Sequence, residues 1–150
     1  MQDKFSVRDL FHMDRIKKIY FSSEGRINRL EYFKRFLAFV AVIFVLSFIM
    51  NIVFVFGCVF AGLSGEDLVG ALENFSNVAS VLVFILSLVV QYHLDVRRLH
   101  DLNRGNTLAI VRLVTIIIVI PAFLIGIYLL FFKGTTGSND YGSDPLEYQK

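Results

Sequence analysis

The sequence predicts an all-α membrane protein: three transmembrane helices preceded by an N-terminal amphipathic helix at the interface. Three observations carry this reading. The stretches Phe36–Leu63, Phe75–Tyr92 and Leu113–Phe132 contain no Asp, Glu, Lys or Arg. They hold 28, 18 and 20 residues, and a helix needs about 20 to cross a hydrocarbon core roughly 30 Å thick while satisfying its own backbone. The chain is 55% hydrophobic with a mean hydropathy of +0.62. Soluble domains run near 45–50% and scatter that content among charges, whereas here it is gathered into blocks.

The 150 residues therefore read as a single integral membrane domain, 1–150. It comprises a cytoplasmic or interfacial segment 1–35, spans at 36–63, 75–92 and 113–132, and a tail 133–150. In the first segment Phe5, Leu10, Phe11, Ile16, Ile19 and Tyr20 recur near helical spacing, interleaved with Arg8, Asp9, Asp14, Arg15, Lys17 and Lys18. Such a helix lies among headgroups with its basic side toward anionic lipid, either as a simple anchor or as a regulatory arm. Ser22, Ser23 and Asn28 offer cap chemistry around Gly25, a break before a second helix that starts near Asn28 and runs into the first span. On that helix Glu31 and Arg35 are four apart, in the favourable order for a pair. No cleaved signal peptide is expected, because the first apolar run begins only at Phe36 and far exceeds a signal core of about 7–15 residues.

Charge placement sets the expected orientation. Met1–Arg35 carries nine Lys or Arg, from Lys4 to Arg35, and His93–Arg112 carries Arg97, Arg98, Arg104 and Arg112. The connection Ser64–Asn77 carries only Glu66, Asp67 and Glu73. Positive residues near spans stay cytoplasmic, so the N-terminus and the second connection are expected inside, with Glu66 and Asp67 outside. Three crossings then place the tail outside. The alternative is that Leu113–Phe132 folds back near Pro121 as a re-entrant hairpin, since 20 residues are too few for two full crossings.

Several function classes are disfavoured. A net charge of +2 gives no argument for nucleic acid. The lone Cys58 permits no intrachain disulfide and reads as a small buried hydrophobe. The spans hold no ionisable residue, which argues against a pump or ion-coupled transporter. Their polar residues, Ser47, Asn51, Ser80, Ser87, Gln91 and Thr115, suit hydrogen bonds between helices. Gly57, Ala61 and Gly65 stand four apart, a spacing that lets helices approach closely. Pro121 and Gly126 are expected to bend the third span.

The segment Arg97–Arg104, R-R-L-H-D-L-N-R, is the most chemically loaded. On a helix continuing past Tyr92, His93, Arg97, His100, Asp101 and Arg104 fall on neighbouring turns of one side, Asp95 can meet Arg98, and Arg97 can meet Asp101. A partly desolvated carboxylate needs a partner, so Asp95 or Asp101 is expected to pair with Arg26 or Arg29 across the cytoplasmic edge. Two readings stand: a polar cluster that binds a phosphate, a lipid headgroup or a partner protein, and an anchor whose acids brace its arginines. The candidate contact residues are Arg26, Arg29, Asp95, Arg97, Arg98, His100, Asp101 and Arg104. No metal or cofactor is expected: His93 and His100 lie about 10 Å apart along a helix, and zinc wants three or four ligands near 2 Å. No catalytic residue is assigned, because His100 and Asp101 point apart and no activated nucleophile stands beside them.

Phe21–Tyr32 reads F-S-S-E-G-R-I-N-R-L-E-Y and Gly137–Pro145 reads G-S-N-D-Y-G-S-D-P. Together with R-R-L-H-D-L-N-R, their order around the hydrophobic segments resembles the domain-of-unknown-function 805 family of small bacterial inner-membrane proteins. The resemblance covers Phe21–Pro145. It implies an integral protein of the bacterial plasma membrane and no particular activity. Family members commonly carry tryptophans after the tyrosine of the first motif and after the arginine-aspartate motif. This chain has none, with Phe33 and Gly105-Asn106-Thr107 in those places.

The leading expectation is a non-enzymatic interaction or scaffold protein whose basic cytoplasmic face contacts anionic headgroups or a protein partner. The alternative is a passive transporter or channel component acting as a homo-oligomer, because three helices hardly enclose a water-filled path.

Overall fold

The computed structural model describes residues 5–147. Lys4, counted above among the basic residues, and the tail's last three residues lie outside the described residues. The regular elements are helices: α1 (Met13–Tyr20), α2 (Arg29–Phe60), α3 (Gly65–Asp101), α4 (Thr107–Val114) and α5 (Val119–Phe131), with 310 turns at Val7–Phe11 and Thr115–Ile117. Two of them, α2 and α3, are long and apolar enough to cross a membrane. The chain divides into two compact units, Ala38–Ser87 and the combination of Met1–Leu37 with Leu88–Lys150.

The Ala38–Ser87 unit joins the later part of α2 to the first part of α3 through a tight turn. Gly62 and Gly65 take φ of +82° and +58° there, a region that favours glycine. Leu63 N–H closes the turn onto Cys58 O at 3.0 Å, and Phe54 stacks on Phe75 with ring centroids 4.0 Å apart. Its apolar side chains, Phe44, Phe48, Val53 and Phe56 among them, are exposed. Two expectations change here. Because α2 stops at Phe60, Gly57, Ala61 and Gly65 do not share one helix face. Asn51 bonds Ser47 O and Ser87 bonds Val83 O, so these polar side chains return to their own helix rather than reaching across.

The other unit begins with the 310 turn, capped by Ser6 and Asp9 in a reciprocal box, and with α1. The helical face expected from Phe5 to Tyr20 is interrupted at His12, which is extended. Ile19 and Tyr20 are buried while Phe11 and Met13 are exposed. Gly25 turns the chain at φ +77°. Asn28 then caps α2, its Oδ1 accepting from Glu31 N–H at 2.9 Å, and Glu31 meets Arg35 at 3.7 Å and Lys34 at 3.9 Å.

The third expected span, 113–132, is not one helix. α4 ends at Val114, the backbone tightens through Thr115–Ile117 and turns at Ile118, and α5 starts with Pro121 in its first turn. Proline is tolerated there because the first N–H groups of a helix have no intrahelical partner. The 13 residues of α5 extend about 20 Å, short of a hydrocarbon core. α4 and α5 pack on each other. The residues after α5 bond to Arg26 and Asp101, described below, whereas three crossings would set the tail on the opposite side from both. The tail is thus seated on the end of α3 rather than standing as an independent cap.

Candidate functional site: a polar cluster at the end of α3

A helix leaves its last four carbonyls without intrahelical partners. At the end of α3 these groups gather the three motifs. Arg98 O and Leu99 O accept from Leu102 N–H, and Arg104 N–H returns to Leu99 O at 2.9 Å. The reversal is made by Asn103 at φ +54°, a residue type that tolerates this left-handed cap. His100 O accepts from Asn139 Nδ2 at 2.8 Å. Asp101 O accepts from Thr135 N–H at 2.8 Å and from its hydroxyl at 3.0 Å. One residue earlier, Arg97 O accepts from Ile27 N–H.

Asp101 itself sits at the negative end of the helix dipole, an unfavourable place for a carboxylate, and it is buried. Two guanidiniums compensate. Arg98 donates to Oδ2, and Arg26 reaches Oδ1 at 3.2 Å. Both arginine side chains are completely buried, so their other donors must also find acceptors. Arg26 donates to the carbonyls of Thr135, Gly137 and Gly142 at 2.8 to 3.0 Å. Arg98 donates to Leu129 O at 2.8 Å and to Phe132 O, which holds the end of α5 against α3. Gly134 passes so close that a Cβ there would lie 2.6 Å from Asp101 Cγ.

A second cluster lies two turns earlier on α3. Asp95, buried, accepts from Arg112 Nη1 at 2.8 and 2.9 Å, from Tyr32 Oη at 2.9 Å and from Gln91 Nε2 at 2.6 Å. These contacts join α2, α3 and α4. Gly126 on α5 faces the Arg112 guanidinium, where a Cβ would stand 3.0 Å from Nη2.

The expected site residues thus separate. Arg26, Arg98 and Asp101 meet directly, while Asp95 finds Arg112 rather than Arg98, Arg26 or Arg29. Arg97 donates to Lys18 O at 3.2 Å and Ile19 O at 3.4 Å, seating α1. His100 contacts Gly25 O at 3.2 Å and stacks on Tyr141 at 4.0 Å. Arg104 lies past the end of α3 and is exposed, so it does not continue the helical row. Arg29 is exposed too. It lines a cavity of about 70 Å³ with Asn28, Arg98, Asp101, Lys133, Thr135 and Asp144 among others. Sequence reasoning left Arg112, Tyr32, Gln91, Lys133 and Thr135 out of the site. The signal for Arg112 was its place at the edge of a charge-free run.

Among the described residues outside helices α2 to α5, the Tyr20 phenol and the Asp144 carboxyl are shifted from their ordinary values. Burial pushes the Tyr20 phenol up to about 12, and its hydroxyl donates to Arg35 O at 3.2 Å. The Asp144 carboxyl is held below its usual range by the N–H groups of Leu146 and Gly137, both donating at 2.8 Å. Chemically, the buried carboxylates of Asp95 and Asp101 are closed off by arginines, and the exposed cations beside them are Arg29 and Lys133 at the cavity and Arg104 beyond it.

No curated protein and no solved structure matches the chain. A family model described as a protein of unknown function (DUF805) matches residues 20–143. That range takes in the first two motifs whole and the third as far as Ser143, the segments that meet around the end of α3. The chain belongs to the DUF805 family.

Proposed function

We propose that the protein is a non-enzymatic membrane interaction protein, inserted in the bacterial plasma membrane with its N-terminus and polar cluster cytoplasmic. One observation carries this reading. The buried acids Asp95 and Asp101 are occupied by internal partners, whereas Arg29, Lys133 and Arg104 are exposed and have no ion pair among the described residues. A buried acid enclosed by arginines braces a fold and is not itself available for acid–base work. Exposed cations beside a small cavity suit an acidic surface, either headgroup phosphates or carboxylates of a protein partner. In the N-terminal segment Phe11 and Met13 are exposed, near Arg8 and Lys17 in sequence, the composition of an interfacial anchor.

Photocrosslinkers placed at Arg29 and Lys133 in native membranes test this. Crosslinks to anionic lipid or to a discrete protein are expected, and they should weaken on raising salt. Crosslinks that are absent, together with solute flux through reconstituted vesicles, would favour the transport reading and overturn this one.

A further inference from the structure

We propose that residues 107–131 form a hairpin that enters the membrane from the side holding the polar cluster and returns to that side, its apolar tip facing the acyl chains of one leaflet. This rests on the membrane reading above and goes beyond it by fixing the number of crossings and the partner of this surface.

The two ends of the segment are tied to the same stretch of α3. At the entry, α4 begins six residues after Asp101 and its Arg112 bonds Asp95. At the exit, Arg98 bonds Leu129 O and Phe132 O, Thr135 N–H bonds Asp101 O, and Arg26 holds Thr135, Gly137 and Gly142. A crossing segment cannot have both ends on one cluster of buried charges. The lengths agree: α4 has 8 residues and α5 has 13, about 12 and 20 Å, against a hydrocarbon core of roughly 30 Å. Between them the tip is apolar and open, with Ile117 88% exposed and Val114, Val119 and Ile120 each 71% exposed. No Asp, Glu, Lys or Arg occurs from Leu113 to Phe132. Water is a poor medium for such a surface. Acyl chains are the occupant that the charge-free tip and the charged base together select: Lys133 closes the apolar run at the base, and Arg112, further along α4, keeps its charge paired with Asp95. The turn leaves little backbone open at that depth, because Ile118 N–H donates to Thr115 O at 2.8 Å and Pro121 in the first turn of α5 has no N–H to satisfy.

The test uses the full-length chain with Cys58→Ala and one new cysteine at a time, at positions that are exposed: Glu66→Cys, Arg104→Cys, Ser138→Cys, Phe48→Cys and Ile117→Cys. In sealed vesicles of known orientation, an impermeant maleimide should label positions 104 and 138 from the same face and 66 from the other. Labelling of 138 together with 66 overturns the hairpin and restores three crossings. A fluorophore on 48 or 117 should then be quenched by brominated acyl chains. Quenching at 48 but not at 117 means that protein, such as a second copy, covers the tip, and the lipid assignment fails. Quenching at neither position sinks the membrane reading itself, independently of the hairpin.

Discussion

Arg26 and Asp101 stand 75 residues apart in the chain and meet as a buried ion pair at 3.2 Å. The pair does two jobs at once. Arg26 offsets a carboxylate stranded at a helix C-terminus, and its remaining donors hold three carbonyls of the tail. The first motif, the end of α3 and the third motif are thereby one structural unit, although the apolar runs separate them in sequence.

Replacing Asp101 by Asn leaves Arg26 and Arg98 buried with no counter-charge. Removing one partner of a buried pair costs about 3–5 kcal/mol, and a loss of that order is expected in detergent unfolding of Asp101→Asn. The exchanged pair, Arg26→Asp with Asp101→Arg, should recover little. An aspartate at position 26 restores the charges but cannot donate to the carbonyls of Thr135, Gly137 and Gly142. Near-complete recovery in the exchanged protein would show that charge alone matters.

Gly134→Ala tests how tightly the tail is seated. The added methyl would enter the space of the Asp101 carboxyl, which is pinned by two arginines and cannot swing aside. Overpacking of this kind costs roughly 1–3 kcal/mol. The change should also raise proteolytic cutting within 135–144, since the tail's bonds to Arg26 depend on this approach. Wild-type protease resistance in Gly134→Ala would mean that the tail docks more loosely.

The Asp95 cluster should behave as a network. Tyr32→Phe removes a donor to a carboxylate and an acceptor for Arg112 and Gln91, and is expected to cost about 1.5–3 kcal/mol. Arg112→Leu removes the counter-charge of a buried acid and should cost more, about 3–5 kcal/mol. Because both side chains bond the same carboxylate, a double-mutant cycle between them should be non-additive by about 0.5 kcal/mol or more. Additive losses would indicate two independent contacts.

How much of this was legible in the sequence follows from range. The helices α2 and α3 were readable because their apolar content is continuous, and the cap at Asn28 because its chemistry is local. The pairing of Asp101 with Arg26 was accessible from the cost of an unpaired acid at a basic edge. The local pair of Asp95 with Arg98 was not what formed, because Asp101 lies equally near Arg98 along the helix and α4 supplies Arg112 to Asp95. Pro121 marked where the third run could bend or fold back, but composition could not decide between the two: a 20-residue charge-free run reads as a span whether or not its ends return to one place. What distinguishes the two is the demand of Arg98 and Arg26 for carbonyl acceptors, and backbone carbonyls leave no mark in a sequence.

Asp144 gives the tail a dependence on pH. Its carboxylate accepts from Gly137 N–H and Leu146 N–H, each at 2.8 Å, and these bonds favour the charged form, so its folded value lies below the ordinary one. An unfolded aspartate titrates near 3.9. The contribution of this turn is therefore fully present above about pH 4 and is lost as pH falls through the depressed folded value. The amide proton shifts of Gly137 and Leu146 should titrate together at that lower value and stay flat from about pH 5 to 8. In Asp144→Asn both shifts should lose this transition while the rest of the spectrum keeps its own. Titration of the wild-type amides at or above the ordinary aspartate value would show that the carboxylate does not hold the turn. The tail's contacts with Arg26 would then have to be maintained by the carbonyls of Thr135, Gly137 and Gly142 alone.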